Sequence, residues 1–250
     1  MSGEPRIEEV FTLPSKGLVY NDDVNPEIIL SSMTTRHEML RLSNTDENYK
    51  ILAQIMDDCI KSDLGISAYD LCLGDFQFLL FKLRTVTFGP EYELGGKCPF
   101  CGFEQTSIIN LDELEIKEFD ESINDIMDIE LPVTGSKVEF KLQTPRILDR
   151  VNAKTREYMR RHKDSDENPV ILYNIISSID LIDDEIPNAI MLEEWCKNLP
   201  LADTNAIINR IDLINDQIGV DMFVEDNCKI CGTEYIVPFR FNSTFFRPIH

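Results

Sequence analysis

Histidine is scarce in this chain of 250 residues, where it occurs three times, at positions 37, 162 and 250. The sequence also lacks a glycine-rich phosphate loop, a G-x-S-x-G nucleophile motif and an H-E-x-x-H metal motif. Adjacent acidic residues are frequent, but a chain with 45 Asp and Glu contains such pairs by chance. A catalytic group needs a positioned partner, and the sequence shows no motif that supplies one. We therefore expect a protein that is not an enzyme.

Basic residues and long apolar runs are also few. The 24 Lys and Arg stand against 45 Asp and Glu, which gives a formal net charge of −21. Such a chain repels a polyanion, so we expect no nucleic-acid partner. No run approaches the roughly 18 to 20 apolar residues of a membrane span, and the first residues do not resemble a signal peptide. We therefore expect no membrane span and a cytosolic compartment in which thiols stay reduced.

The seven cysteines divide into two groups. An odd number argues against a closed disulfide framework. Cys59, Cys72 and Cys196 stand alone in apolar helical contexts, which is typical of core residues. The other four form two C-x-x-C-G pairs, Cys98 with Cys101 and Cys228 with Cys231, and this spacing is typical of zinc knuckles.

Each knuckle alone offers only two metal ligands, and no histidine lies near either. One zinc ion bound by Cys98, Cys101, Cys228 and Cys231 is the most economical interpretation. Four thiolates leave no open coordination position, so this zinc would be structural. A redox dithiol at one knuckle, or two turns without metal, are the alternatives.

The pattern of apolar residues predicts an α+β fold. Residues 1–33 have extended character, and helices follow to Phe88, with expected caps at Thr35 with Glu38, at 44–46, and at Asp75. Strand-like residues flank both knuckles, a hairpin is expected around residues 134–136, and a helix is expected from Thr144. Asp203 is expected to cap a later helix that stops at Gly219.

These elements suggest a zinc-ribbon-like β base that joins the N-terminal and C-terminal parts of the chain. We expect three segments: 1–110 with the first knuckle, 111–220 as a largely helical insertion, and 221–250 with the second knuckle.

Charge is distributed unevenly along the insertion. Residues 112–130 carry nine acids against one lysine, which is typical of a solvated face or, alternatively, of a surface for a basic partner. The helix after Thr144 is the one basic stretch, and its arginines are candidates for partner binding or for pairing with the acidic stretch. The candidates are Arg156, Arg160 and Arg161.

The C-terminal sequence STFFRPIH is aromatic. Phe245 and Phe246 either seal the core or anchor a neighbouring subunit. A strand here would place one ring in the core and the other toward a neighbour.

The order of motifs resembles the baseplate hub and hub-assembly proteins of T4-type contractile-tailed phages. The resemblance rests on LPSKG-x-x-Y from Leu13 to Tyr20, KLRTVTFGPEY from Lys82 to Tyr92, CPFCG, CKICG, and FFRP from Phe245 to Pro248. It implies a non-enzymatic structural subunit of a tail baseplate hub, in a symmetric oligomeric assembly with other hub subunits and the tape-measure protein. Such a subunit is assembled in the host cytoplasm and resides in the virion. The alternative is an assembly chaperone that the finished particle does not retain.

Overall fold

The computed structural model describes residues 7–43, 48–163, 167–239, 241 and 245–247, and its mixed α and β structure confirms the predicted α+β class. The α-helices are α1 (Thr35–Arg41), α2 (Asn48–Cys59), α3 (Leu73–Phe88), α4 (Pro145–Arg161), α5 (Val170–Ser178), α6 (Ala189–Lys197) and α7 (Leu201–Asn215). Short 3-10 helices cover Ala68–Asp70, Leu111–Glu113 and Glu121–Ile126. Within the described ranges, no helix combines the length and apolar character needed to span a bilayer.

The strands form small antiparallel sheets. They are β1 (Glu8–Thr12), β2 (Glu27–Ser31), β3 (Glu91–Lys97), β4 (Glu104–Asn110), β5 (Ile116–Lys117), β6 (Asp128–Glu130), β7 (Lys137–Phe140), β8 (Ile179–Ile182), β9 (Gly219–Val220), β10 (Phe223–Asn227) and β11 (Glu234–Pro238). The pairs are β1–β2, β3–β4, β5–β9 and β10–β11, and β6–β7–β8 form a three-stranded sheet. The hairpins that flank both knuckles and the hairpin around residues 134–136 were predicted, and the structure confirms them.

Helix α3 lies at the centre of the main core. Apolar residues occupy most of its length, and Phe76, Leu79 and Leu83 are fully buried. The helix ends where Gly89 adopts a φ of 86°, a conformation that favours glycine. Buried residues of β2, β3 and α2 pack around α3, and so do residues of β10, β11 and the C-terminal segment 245–247. The N-terminal and C-terminal parts of the sequence therefore share one hydrophobic core.

A second core lies within the segment between the knuckles. Val138 and Phe140 of β7 pack there with Ile175 of α5 and with Ile207 and Ile211 of α7. Helix α4 is amphipathic and begins at Pro145, which confirms the helix start predicted at Thr144-Pro145. Oγ1 of its N-cap Thr144 accepts a hydrogen bond from the Ile147 amide at 3.2 Å. The division into segments 1–110, 111–220 and 221–250 remains a prediction.

The predicted start of α1 and the predicted end of α7 are wrong. The N-cap of α1 is Thr34, whose amide donates to Nδ1 of His37 at 3.1 Å, so Thr35 and Glu38 lie inside the helix. Helix α7 ends at Asn215, and Gly219 belongs to strand β9. The cap predicted at residues 44–46 lies outside the described residues.

The expected caps Asp75 and Asp203 also lie inside their helices, and both are fully buried. Asp203 accepts hydrogen bonds from the amides of Val133 and Thr134, at 2.8 and 3.0 Å. Each of these aspartates lies near a helix start but accepts hydrogen bonds from a loop that is distant in sequence.

Candidate metal centre

The two knuckles have the same backbone geometry. In the first, the Cys98 amide donates to Phe103 O at 2.9 Å and the Gly102 amide donates to Cys98 O at 2.9 Å. In the second, the Cys228 amide donates to Thr233 O at 3.0 Å and the Gly232 amide donates to Cys228 O at 2.8 Å. Gly102 and Gly232 have φ values of 75° and 71°, which explains the glycine after each second cysteine. Each turn directs both of its thiols to the same side.

The four cysteine sulfurs form one cluster across the two hairpins. The Sγ atoms of Cys98 and Cys231 are 3.7 Å apart, and those of Cys101 and Cys228 are 3.5 Å apart. All four ligand atoms lie within 4.8 Å of one another. A tetrahedral zinc ion with sulfur ligands at about 2.3 Å would separate the sulfurs by about 3.8 Å. The arrangement therefore fits a single metal ion.

The thiols of the second knuckle favour ionisation. Hydrogen bonds with the side chain and backbone of Thr233 lower the pKa of Cys231 to about 6. Backbone hydrogen bonds from Cys231 and Ile230 lower the pKa of Cys228. The hydrogen bond from the Phe103 amide lowers the pKa of Cys101, but desolvation and hydrogen bonds with the other three cysteines outweigh it and raise this pKa to about 12. Four thiolates this close repel one another, and a bound cation would relieve that repulsion.

A polar network beside the cluster joins the two hairpins. The Gln105 side chain donates to Oδ2 of Asp226 at 2.8 Å and to the Asn227 carbonyl at 2.9 Å, and it accepts from the Lys229 amide at 2.9 Å. Burial opposes ionisation of Asp226, but hydrogen bonds from Gln105, Ser107, Asn227 and Tyr235 outweigh it and lower the pKa of the carboxyl. Sequence reasoning missed this network, because no local pattern marks Gln105 or Asp226 as partners.

The hairpins also approach closely at Gly96. A Cβ atom built on Gly96 would lie 2.9 Å from Cγ2 of Val237 and 3.1 Å from the Tyr235 hydroxyl. Side chains of β11 therefore occupy the space that any larger residue at position 96 would need. Gly95, the preceding residue, has nothing within 4 Å of its Cβ position.

The basic helix candidates lie on α4, whose packing neighbours are α2, α5 and the 3-10 helix at 68–70. Arg161 pairs with Glu157 of the same helix, and Arg146 pairs with Asp70 at 2.6 Å. Arg160 is exposed and Arg156 is half-buried. The acidic stretch has other partners, since Glu118 pairs with Lys16 and Asp112 pairs with Lys82. Partner binding by Arg156, Arg160 and Arg161 remains a prediction.

The aromatic tail candidates are buried in this chain. Phe245 is 1% exposed and Phe246 is 6% exposed. The Phe245 ring contacts Phe81 and Tyr92, with centroids 5.4 and 5.7 Å away. Residues 245–247 form a turn and not the expected strand. Both rings are buried in this chain, so the expectation that one ring points outward to a neighbour is wrong. The core-sealing alternative agrees with this burial.

The two other motifs that carried the resemblance form buried polar anchors. Asp75 accepts hydrogen bonds from the Ser15 amide at 2.9 Å and from the Tyr20 hydroxyl at 2.6 Å, which holds the LPSKG loop against the start of α3. Burial raises the pKa of Asp75. The fully buried Arg84 donates to the carbonyls of Gly89, Glu91 and Arg247, the last two at 2.8 and 3.5 Å. The chemistry-bearing side chains of these motifs therefore hold loops and the C-terminal segment in place.

The fold and the site together define a mixed α+β protein whose two sequence ends share a core beside a four-cysteine cluster that could hold a metal ion. The family model of the T4 bacteriophage base plate protein matches residues 6–247, so the chain belongs to that family. This confirms the resemblance to T4-type baseplate proteins and implies a location in the virion tail. No curated protein and no solved structure matches the chain.

Proposed function

We propose that the chain is a non-enzymatic structural subunit of a phage tail baseplate hub, stabilised by one structural zinc ion. Membership of the base plate family is the observation that carries this proposal. The partners would be other hub subunits and the tape-measure protein, in a symmetric assembly that forms in the host cytoplasm and remains in the virion.

Zinc is the metal that the donor set favours. Four sulfur ligands in two matched knuckles suit a tetrahedral, redox-inactive ion in a reduced compartment. Cys98, Cys101, Cys228 and Cys231 would occupy all four positions, so the ion would have no place for a substrate or an activated water. Its role would be to fix the β3–β4 hairpin to the β10–β11 hairpin.

A role without catalysis agrees with how the reactive side chains are used. Ser15, Tyr20, Cys72 and Asp75 form one buried group in which each polar side chain hydrogen-bonds to another member. Burial raises the pKa of Cys72 above its ordinary value, which keeps the thiol protonated and unreactive.

Composition of purified virions tests the proposed location. Quantitative mass spectrometry should find the chain in washed particles at a fixed ratio to known tail proteins. Its presence in infected cells but absence from finished particles would support the alternative, an assembly chaperone that is not retained. A host protein of high abundance serves as the control for contamination.

A further inference from the structure

The β10–β11 hairpin buries one face against the main core and exposes apolar side chains on the other. Val224, Tyr235 and Val237 point into the main core and are at most 9% exposed. On the opposite face, Phe223 is 58% exposed and Ile236 is 61% exposed. A two-stranded hairpin with one buried face ordinarily carries polar residues on the other. The exposed apolar side chains therefore need an explanation.

The β3–β4 hairpin provides a comparison within the same molecule. Five residues before the first cysteine of each knuckle stand Glu93 and Phe223, respectively. Five residues after the second cysteine of each knuckle stand Thr106 and Ile236, respectively. The matched positions on the first hairpin are thus polar, whereas those on the second are apolar. Geometry of the knuckle does not require apolar residues there, because the first knuckle forms without them.

The exposed apolar residues lie at neighbouring positions of the hairpin. Phe223 is paired directly with Pro238, and Ile236 is paired with Glu225 on the neighbouring strand. Phe223 and Glu225, like Ile236 and Pro238, are two residues apart and share the outer face. We call this set of residues the outer hairpin face; it consists of Phe223, Glu225, Asn227, Glu234, Ile236 and Pro238.

The charge of the outer hairpin face is of one sign. Glu225 and Glu234 are exposed, and neither takes part in an ion pair within the described part of the chain. The face itself includes no lysine or arginine. A surface that covers it must therefore supply apolar side chains next to Lys or Arg.

A second copy of this chain is a poor match for that requirement. If the face packed against itself about a twofold axis, Glu225 and Glu234 would meet their own like charges. Two copies of the chain, with a net charge of −21 each, also repel one another. A different protein with a basic and apolar surface fits better.

We propose that the outer hairpin face is a docking site for another tail protein that presents apolar side chains flanked by Lys or Arg. This inference rests on the proposed function for the class of partner. An exposed phenylalanine beside an isoleucine is a typical anchor for such a contact. Cys228 and Cys231 lie between β10 and β11 in sequence and belong to the four-cysteine cluster. A bound metal would therefore hold the face in a fixed shape before docking.

The probe for this proposal is an array of overlapping 15-residue peptides that covers the other tail proteins of the same phage. The full chain, with metal bound, is compared with a Phe223→Ser/Ile236→Ser variant. Ile108→Ser is the matched control, because Ile108 is 65% exposed on the outer face of the first hairpin. All three proteins should have the same metal content and melting temperature, since the substituted side chains are exposed.

The proposal expects that peptides bound by the unchanged chain combine apolar residues with Lys or Arg. Their affinity should fall at least tenfold with Phe223→Ser/Ile236→Ser and should stay within twofold with Ile108→Ser. Absence of any bound peptide, or equal binding by the double variant, would overturn the proposal. Sedimentation velocity on the same proteins identifies a second copy as the occupant if the unchanged chain self-associates and the double variant does not, which would also overturn it.

Virion composition separates this proposal from the proposed function. Normal incorporation of the Phe223→Ser/Ile236→Ser chain into particles would show that the face is not used while the structural role stands. Absence of the unchanged chain from particles would count against the structural role itself.

Discussion

At the scale of single residues, buried polar side chains fix the segments that apolar packing alone leaves free. Asp75 holds the LPSKG loop, Arg84 binds three backbone carbonyls, and Asp203 holds the turn at residues 133–134. Each joins positions that are far apart in sequence.

Asp75 should give stability an unusual dependence on pH. Burial raises its pKa in the folded state, so its contribution is fully present below its ordinary pKa of 3.8 and is lost as pH rises through the higher folded pKa. An Asp75→Asn variant lacks this titration. Its amide oxygen can still accept from the Ser15 amide, whereas its NH2 group cannot accept from the Ser15 and Tyr20 hydroxyls. Urea unfolding of both proteins should therefore show the unchanged chain losing stability relative to Asp75→Asn as pH rises from about 4. A constant difference across that range would mean that the Asp75 pKa is not raised.

Gly96 should tolerate substitution far less than its neighbour Gly95. A methyl group at position 96 would clash with Val237 and Tyr235, and relief of such a clash costs about 1 to 3 kcal/mol. Gly95→Ala meets open space and should change the free energy of unfolding by less than about 1 kcal/mol. Chemical denaturation measures both. Equal effects of the two substitutions would contradict the close approach of the hairpins.

At the scale of elements, the hairpins and helix ends show what sequence can and cannot predict. Knuckle spacing and strand alternation predicted β3–β4 and β10–β11, because both signals are local. The same is true of the start of α4 at Thr144 and Pro145. Asp75 and Asp203 were predicted as caps because they precede apolar periodic residues, yet their partners lie in distant loops.

Non-local partners also explain the other misses. Strand β9 pairs with β5, which lies far away in the sequence. Each strand has only two residues, which is too short for a pattern of apolar residues to predict it. Asp226 and Gln105 lie in strands of different hairpins, and nothing in the local sequence marks either residue. Their hydrogen bond forms only because the two hairpins lie side by side. The four-cysteine cluster was predictable because each C-x-x-C-G pair is a local motif that supplies only two metal ligands. Two such motifs in one chain therefore predict that the distant pairs meet.

The C-terminal segment should contribute to stability through Phe245. Its ring lies among Phe81, Tyr92 and Phe239, and removal of a buried phenyl ring costs about 3 to 5 kcal/mol. Phe245→Ala should lower the free energy of unfolding by that amount. Phe241→Ala is the matched control, because Phe241 joins the same aromatic group but is 36% exposed, and it should cost clearly less. Equal losses would show that the segment is not docked as described.

At the scale of the whole molecule, the two ends of the chain form one body. The main core takes residues from β2, α2 and α3 together with residues from β10, β11 and 245–247, whereas a second core serves the segment between the knuckles. The cysteine cluster and the Gln105 network lie where the β3–β4 hairpin meets the β10–β11 hairpin. Metal binding at that place should therefore stabilise parts of the sequence that are far apart.

Loss of one ligand should loosen both hairpins together. Cys228→Ser removes a sulfur from the cluster, so hydrogen exchange should become faster in β3–β4 as well as in β10–β11. Cys196→Ser is the control, since Cys196 is buried in the second core outside the cluster, and it should leave exchange in both hairpins and the metal content unchanged. Faster exchange confined to β10–β11 would mean that the two knuckles act independently.

X-ray absorption at the zinc edge tests the central claim most directly, because it reports the identity, number and type of the metal ligands at once. For protein purified under reducing conditions, the account predicts one zinc per chain, with four sulfur ligands at about 2.3 Å from the metal. Protein without zinc, or a shell that contains nitrogen or oxygen in place of one or more sulfurs, would contradict a single structural site formed by Cys98, Cys101, Cys228 and Cys231.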